Sequence, residues 1–222
     1  PAELADANRR AIHLLEELRS EYETGQMPIV ISGCIGPRGD GYVPDRAMSA
    51  HEAEAYHREQ IETLAGTAAD MVCAITMNYV EEAIGIARAA QRAHMPVAIS
   101  FTVETDGTLP TGQPLKGAIE EVDDATSGYP SYYMINCAHP DHFAALLDPK
   151  QDWTQRIGGI RANASRASHA DLDVAIELDA GNPQEFGESY GALATLLPNL
   201  RVIGGCCGTD HRHIIIIFSS IH

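Results

Sequence analysis

The sequence predicts an α/β protein built on a parallel sheet, and three observations carry that prediction. Six short apolar runs recur along the chain, at residues 28–36, 70–78, 96–104, 132–138, 157–165 and 200–208. They are nearly continuous in Val, Ile and Met, as strands buried on both faces are. Amphipathic stretches alternate with them, and strand–helix–strand repetition marks α/β architecture. Long segments rich in Gly, Pro and Asp follow two of the runs, at 37–48 and 105–114. Loops after strands build the active sites of βα barrels.

Taken in order, the chain opens inside a helix. Leu4, Ala7, Ala11, Leu14, Leu15, Leu18 and Tyr22 recur at steps of three and four, and Gly25 is a stop. Ser49 followed by Glu52 forms a capping box for a helix carrying Ala53, Tyr56, Ile61 and Leu64. Residues 80–93 are alanine-rich and helical. Another helix is expected from Pro183 to Leu197, closed by Pro198-Asn199. A third irregular segment, 166–182, is long and polar enough to act as a lid. The tail at 214–222, with four consecutive isoleucines, shows no amphipathic period. No low-complexity segment divides the chain, so residues 1–222 are expected to form one domain, with 215–222 an atypical tail.

Composition narrows the function. The chain has 222 residues, 45% of them hydrophobic, with a net charge of −16. That charge argues against nucleic acid or an anionic membrane as partner. No run of about 18 apolar residues exists to span a bilayer. Five cysteines on strand-like segments fit a reduced, cytoplasmic setting better than a secreted scaffold. No Gly-x-Gly-x-x-Gly follows a strand, so no Rossmann-type nucleotide site is indicated.

The chemistry concentrates in three thiols. Cys137 ends one apolar run, and the adjacent Cys206 and Cys207 end another. In one parallel sheet, the three meet at its carboxyl edge. Neighbouring residues of a strand point apart, so Cys206 and Cys207 reach one metal only where the strand breaks into a turn. Gly204, Gly205 and Gly208 supply that freedom. Three thiolates on Zn²⁺ leave the fourth tetrahedral position for a substrate thiol. Three buried, inert thiols are the alternative reading. Cys34 and Cys73 sit mid-strand and read as core packing.

These residues also carry a resemblance. Gly-Gly-Cys-Cys-Gly-Thr at 204–209 with His213-Ile214, Asn136-Cys137 with Pro140, the block at 32–37, and Ser100-Phe101-Thr102 with Asp106-Gly107 and Thr111-Gly112 together resemble the zinc-dependent homocysteine S-methyltransferase family. The likeness runs from about residue 10 to residue 214. It implies a (βα)8 TIM-barrel type fold, here lacking counterparts of the first two strands and the last helix, so that the barrel is N-terminally incomplete. It implies Zn²⁺ on Cys137, Cys206 and Cys207. It implies methyl transfer from a sulfonium or betaine donor to a thiol, homocysteine above all, giving methionine. A fourth protein ligand would close the metal, so the position of His139 matters.

One departure concerns the substrate. Many members carry Glu-Thr where this chain has Ile75-Thr76, and that glutamate is placed to hold a substrate amine. Isoleucine cannot pair with an ammonium. Glu104, ending the next run, is a candidate substitute; a solvated loop acid is the equal alternative. Thr76, Asn136 and Asn163 complete the candidate substrate-binding set, with turn capping the alternative for Asn163 and Ser165. Asp210, His211 and His213 read as helix cap and surface, or as groups supporting the metal. Tyr42 either covers the substrate or packs. The expected partners are a small-molecule thiol and a methyl donor. The unpaired sheet edges favour association into a homo-oligomer. Two other readings stand beside this one: a non-catalytic zinc- or thiol-binding barrel fragment, and a family member acting on a different small thiol.

Overall fold

Six parallel strands pair in strict chain order: β1 (Ser32–Ile35), β2 (Met71–Met77), β3 (Val97–Phe101), β4 (Tyr132–Asn136), β5 (Ile157–Ala162) and β6 (Val202–Gly205). This computed structural model describes residues 2–44 and 46–221; Asp45 of the first long loop and His222 of the tail lie outside the described residues. A sheet whose order never reverses has no switch point, so it winds as a barrel does rather than as a doubly wound fold. Among the described residues β1 and β6 each pair on one side only. The fold is therefore a TIM-barrel segment of six strands, as the sequence predicts.

The helices cover one face of the sheet. They are α1 (Ala2–Tyr22), α2 (Ala50–Ala65), α3 (Val80–Arg92), α4 (Leu115–Thr126), the single turn α5 (Asp152–Gln155), the short α6 (His169–Asp173), α7 (Pro183–Leu196) and α8 (His211–Ile221). The core lies between helices and strands, where Ile35, Val72, Ala74, Ile99, Phe101, Tyr133 and Ile160 are all buried. Gly33 and Gly85 set the spacing of this layer. A Cβ on Gly33 would meet Leu64 at 2.8 Å, and one on Gly85 would meet Glu54 N at 2.6 Å. The opposite, inner face carries Cys34, Cys73, Met134 and Arg161.

The capping box closes as expected, with the Glu52 N–H donating to Ser49 Oγ and the Ser49 N–H donating to Glu52. Three expectations need correction. The isoleucine tail is a helix, α8: His213 and Ile217 are buried, and Ile214 and Ile221 pack against the core. That three-to-four spacing is hidden by the isoleucines around it. Cys34 is exposed and Cys73 half-buried; both lie on the inner face, outside the helix-covered core. Along α1 the buried residue is Ile12, while Leu4, Leu14, Leu18 and Tyr22 are exposed. The apolar period makes the helix but does not mark its buried face.

Candidate metal centre

Cys137, Cys206 and Cys207 converge at the carboxyl end of the sheet, their sulfurs all within 4.8 Å of one another. Cys137 follows β4 directly. Its φ of 55° turns the backbone left-handed, a conformation non-glycine residues adopt at a cost of about 1–2 kcal/mol and one that clusters at functional sites. Cys206 and Cys207 follow β6 in a turn closed by Thr209, whose Oγ1 and N–H both donate to the Cys206 carbonyl. Glycine is required twice here. Gly208 has a φ of 79°, and a Cβ on it would stand 2.5 Å from Asp179 O; a Cβ on Gly205 would overlap Thr209. The Gly-Gly-Cys-Cys-Gly-Thr run is thus the sequence of a turn that brings adjacent cysteines to one point.

Two asparagines hold the cluster. Asn163 is buried, donates from Nδ2 to the Cys137 carbonyl at 2.9 Å, and accepts on Oδ1 from the Cys207 N–H at 3.1 Å. One side chain so joins the two strand ends. Asn136 Oδ1 accepts from the Thr76 N–H at 2.9 Å and from Ser100 Oγ, while Nδ2 donates to Thr76 Oγ1 at 2.8 Å. Thr76 itself has a φ of 58°.

The electrostatics favour one thiolate before any metal binds. Hydrogen bonds from Cys206, Tyr42, Asn136 and Cys207 outweigh the burial that opposes ionisation, and bring the Cys137 thiol down to about 5. The Cys206 thiol, which donates to Cys137, is pushed up by that bond and by burial. Cys207 is raised chiefly by burial. A cluster that shares one negative charge among three sulfurs is a set of soft donors suited to a thiophilic dication.

Tyr42 and His169 roof the site. Their rings lie 4.2 Å apart, and the Tyr42 hydroxyl hydrogen-bonds to Cys137. His169 Nε2 donates to the Cys137 carbonyl at 2.6 Å, and Nδ1 stands 3.3 Å from Glu104 Oε1. Glu104 thus contacts the roof through His169. The loop carrying Tyr42 is pinned from below. Glu82, buried and 2.7 Å from His57 Nε2, accepts the Arg38 N–H; Asn78 Nδ2 donates to the Asp40 carbonyl; Tyr79 accepts the Met48 N–H. A cavity of about 360 Å³ opens between Tyr42, Asn163, His169 and Cys207 on one side and Leu178 and Asp179 on the other.

Other candidates fall outside this group. His139 is buried and accepts the Asp141 N–H on Nδ1; the three-thiol cluster does not include it. His213 is buried rather than on the surface, accepting the Asp210 N–H and donating to the Ala180 carbonyl. Asp210 accepts the Arg212 N–H at the start of α8, and His211 is exposed there. Ser165 donates to Asp179 at the rim of the cavity. Ile75 is half-buried. His169 is the residue that sequence reasoning missed: it sits in the loop read as a lid, and no periodicity marks it.

Comparison with known proteins places the chain in a family. A family model described as homocysteine S-methyltransferase matches residues 1–220. The chain belongs to that family. Homocysteine S-methyltransferase of Escherichia coli K12 is 26% identical over 232 residues, covering 92% of this chain and 68% of the relative. Homocysteine S-methyltransferase YbgG of Bacillus subtilis 168 is 27% identical over 198 residues, covering 83% of this chain and 59% of the relative. Among solved structures, the oxidised form of the E. coli homocysteine methyltransferase MmuM superposes with a TM-score of 0.70 at 20% identity. Its metallated form does so at 0.68 and 19%; each match covers 98% of this chain and 70% of the other. These structures share the fold. Among the described residues no helix is long and apolar enough to cross a membrane.

Proposed function

We propose that this chain is the metal-binding part of a zinc-dependent S-methyltransferase that methylates a small thiol, homocysteine first, from a sulfonium or betaine donor. The observation that carries the reading is the meeting of Cys137, Cys206 and Cys207 within 4.8 Å at the carboxyl end of the sheet, in a member of the homocysteine S-methyltransferase family. Cys137, Cys206 and Cys207 would hold the zinc, which would supply a site to bind a substrate thiol and favour its ionised form. The rest is the work of side chains. Asn136 and Asn163 fix the sulfurs; Tyr42 and His169 cover them and limit water. Alignment of acceptor sulfur, methyl group and leaving group in the cavity supplies much of the rate.

Glu104 is the candidate partner for the acceptor's ammonium, since Ile75 offers only apolar contact. His169 touches one of its oxygens, which leaves the other for substrate. Thr76, whose left-handed backbone is tied to Asn136, is a further candidate contact for the substrate. The five free cysteines and the acidic surface suit a reduced, cytoplasmic setting.

The test is methyl transfer by zinc-loaded protein to homocysteine from S-methylmethionine, S-adenosylmethionine and a betaine in parallel. Methionine from at least one donor is expected. Zinc binding with no transfer from any donor would leave the non-catalytic reading. A second comparison, homocysteine against a thiol of equal length without the amine, should show discrimination that Glu104→Gln removes. A preference of a thousandfold or more that survives Glu104→Gln would overturn the assignment of Glu104.

A further inference from the structure

The inner face of the sheet holds a second group of sulfurs, well below the first. Cys34 of β1 and Cys73 of β2 are register partners on neighbouring parallel strands. Paired residues of adjacent strands point to the same face, and the strands lie about 4.8 Å apart. The partner of Cys73 on β3 is Ala98. Its single methyl leaves space above the sheet, and the Met134 side chain from β4 crosses it, so that Cys73 Sγ stands 3.9 Å from Met134 Sδ. Gly159 on β5 makes room for that thioether: a Cβ there would stand 2.7 Å from Met134 Cγ. Met134 precedes Cys137 by three residues, which at 3.3 Å per residue puts this group about 10 Å beneath the first.

We infer that Cys34, Cys73 and Met134 form a second metal site, specific for a soft monovalent cation such as Cu(I). Thiolate and thioether sulfur are the donors that select Cu(I). Two sulfurs bound at about 2.3 Å and a trigonal angle on one ion stand roughly 4 Å apart, which the observed Cys73–Met134 separation already meets. Zn²⁺ asks for four ligands and harder company than a thioether. Charge gives a third argument. Binding releases one proton from each thiol to solvent, and Cu(I) with two thiolates carries a net −1. Arg161 stands on the same face of β5, and its positive charge favours the ionised form of both thiols. A cation on that face partly offsets the net charge of such a complex. Burial holds the free Cys73 thiol up at about 12, so only a cation with high affinity for sulfur displaces its proton. A weakly thiophilic ion does not.

The test is an anaerobic titration of reduced protein with Cu(I), in competition with a chromophoric Cu(I) chelator. Native protein should take two equivalents, one at each sulfur group. Cys34→Ser and Cys73→Ser should each take one, with far-UV circular dichroism unchanged; Cys34 is exposed, so its replacement leaves the core intact. Met134→Leu should keep both equivalents but weaken the second about tenfold. In Cys206→Ser/Cys207→Ser, X-ray absorption should show the copper of the remaining site bound to three sulfurs. A single equivalent in the native protein would overturn the proposal. So would two equivalents in a folded Cys34→Ser/Cys73→Ser double variant.

Discussion

β4 ends on Cys137 and β6 on Cys206 and Cys207, yet the two strands are held by different means. β4 pairs on both sides, and Tyr133 to Asn136 are buried. Among the described residues β6 pairs only with β5, all four of its residues are half-exposed, and Cys207 beyond it is exposed. Packing on both sides of β4 holds the first sulfur, with Asn163 and His169 on the Cys137 carbonyl. A handful of nameable hydrogen bonds fixes the other two: Cys206 N–H to Ala162 O at 2.8 Å, Ala164 N–H to Cys207 O at 3.0 Å, Tyr190 Oη to Gly204 O, and the Asn163 bridge. The site thus joins a rigid half to an edge, and the edge should govern how readily its metal is lost.

Loss of a ligand is the largest expected effect. Cys137→Ser removes the one sulfur that ionises readily and should lower zinc affinity by at least about 100-fold, more than loss of a supporting group alone. Cys207→Ser, on the exposed side, should cost less but still abolish thiol methylation. Zinc measured after dialysis against a graded chelator series ranks the two. Full zinc retention by Cys207→Ser would end the three-thiolate model.

The pH dependence of the metal-free protein follows next. Cys137 titrates lower in the folded chain than in the unfolded one, so its contribution is complete above an unfolded value of about 8.5 and is lost as pH falls through about 5. Buried His139, held down to about 4 by desolvation, adds a loss of the same sign below about 6.5. Cys206 is raised, so its contribution is lost as pH climbs above the ordinary thiol range. The unfolding free energy from urea titrations should therefore peak near pH 8 and fall on acidification, by on the order of a few kcal/mol by pH 5. Cys137→Ser should flatten the acid limb. An unchanged limb in that variant would remove Cys137 as its cause.

How far these features were legible in the sequence also differs between centre and edge. The strands were readable because residues buried on both faces leave a continuous apolar run. The Cys-Cys turn was readable because its glycines are needed where they stand. α4 was not singled out, although Leu115, Ala118, Ile119 and Val122 form its buried face. α8 was hidden by uniform isoleucine. Cys34 and Cys73 looked like core because a strand pattern cannot say which face the helices cover. His169 was beyond reach: its partners lie 32 and 65 residues away, and only the closed fold brings them together.

Asn163→Ala should act on both halves at once. It leaves the Cys137 carbonyl and the Cys207 N–H without their shared partner in a buried position, at about 1–3 kcal/mol of stability. It should also weaken zinc about 10- to 100-fold, because the two strand ends are no longer joined. Chemical denaturation and chelator competition measure these separately. A loss of stability with zinc affinity intact would show that the metal, not Asn163, holds the edge.

Tyr190→Phe is the smallest and the most local of these changes. The buried Tyr190 hydroxyl accepts the Ala162 N–H at 3.0 Å and donates to the Gly204 carbonyl, so it clips β6 to β5 from the helix side. Phenylalanine keeps the ring packing against Phe186 and removes only the oxygen. The Ala162 N–H is then unsatisfied, at about 1–3 kcal/mol. If the edge governs metal release, zinc should leave Tyr190→Phe several times faster than native protein. Hydrogen exchange should speed up at Ile203 to Cys206 and stay slow along β4. Equal acceleration in both strands would mean that β4 and β6 open as one unit, and the contrast drawn between them would fail.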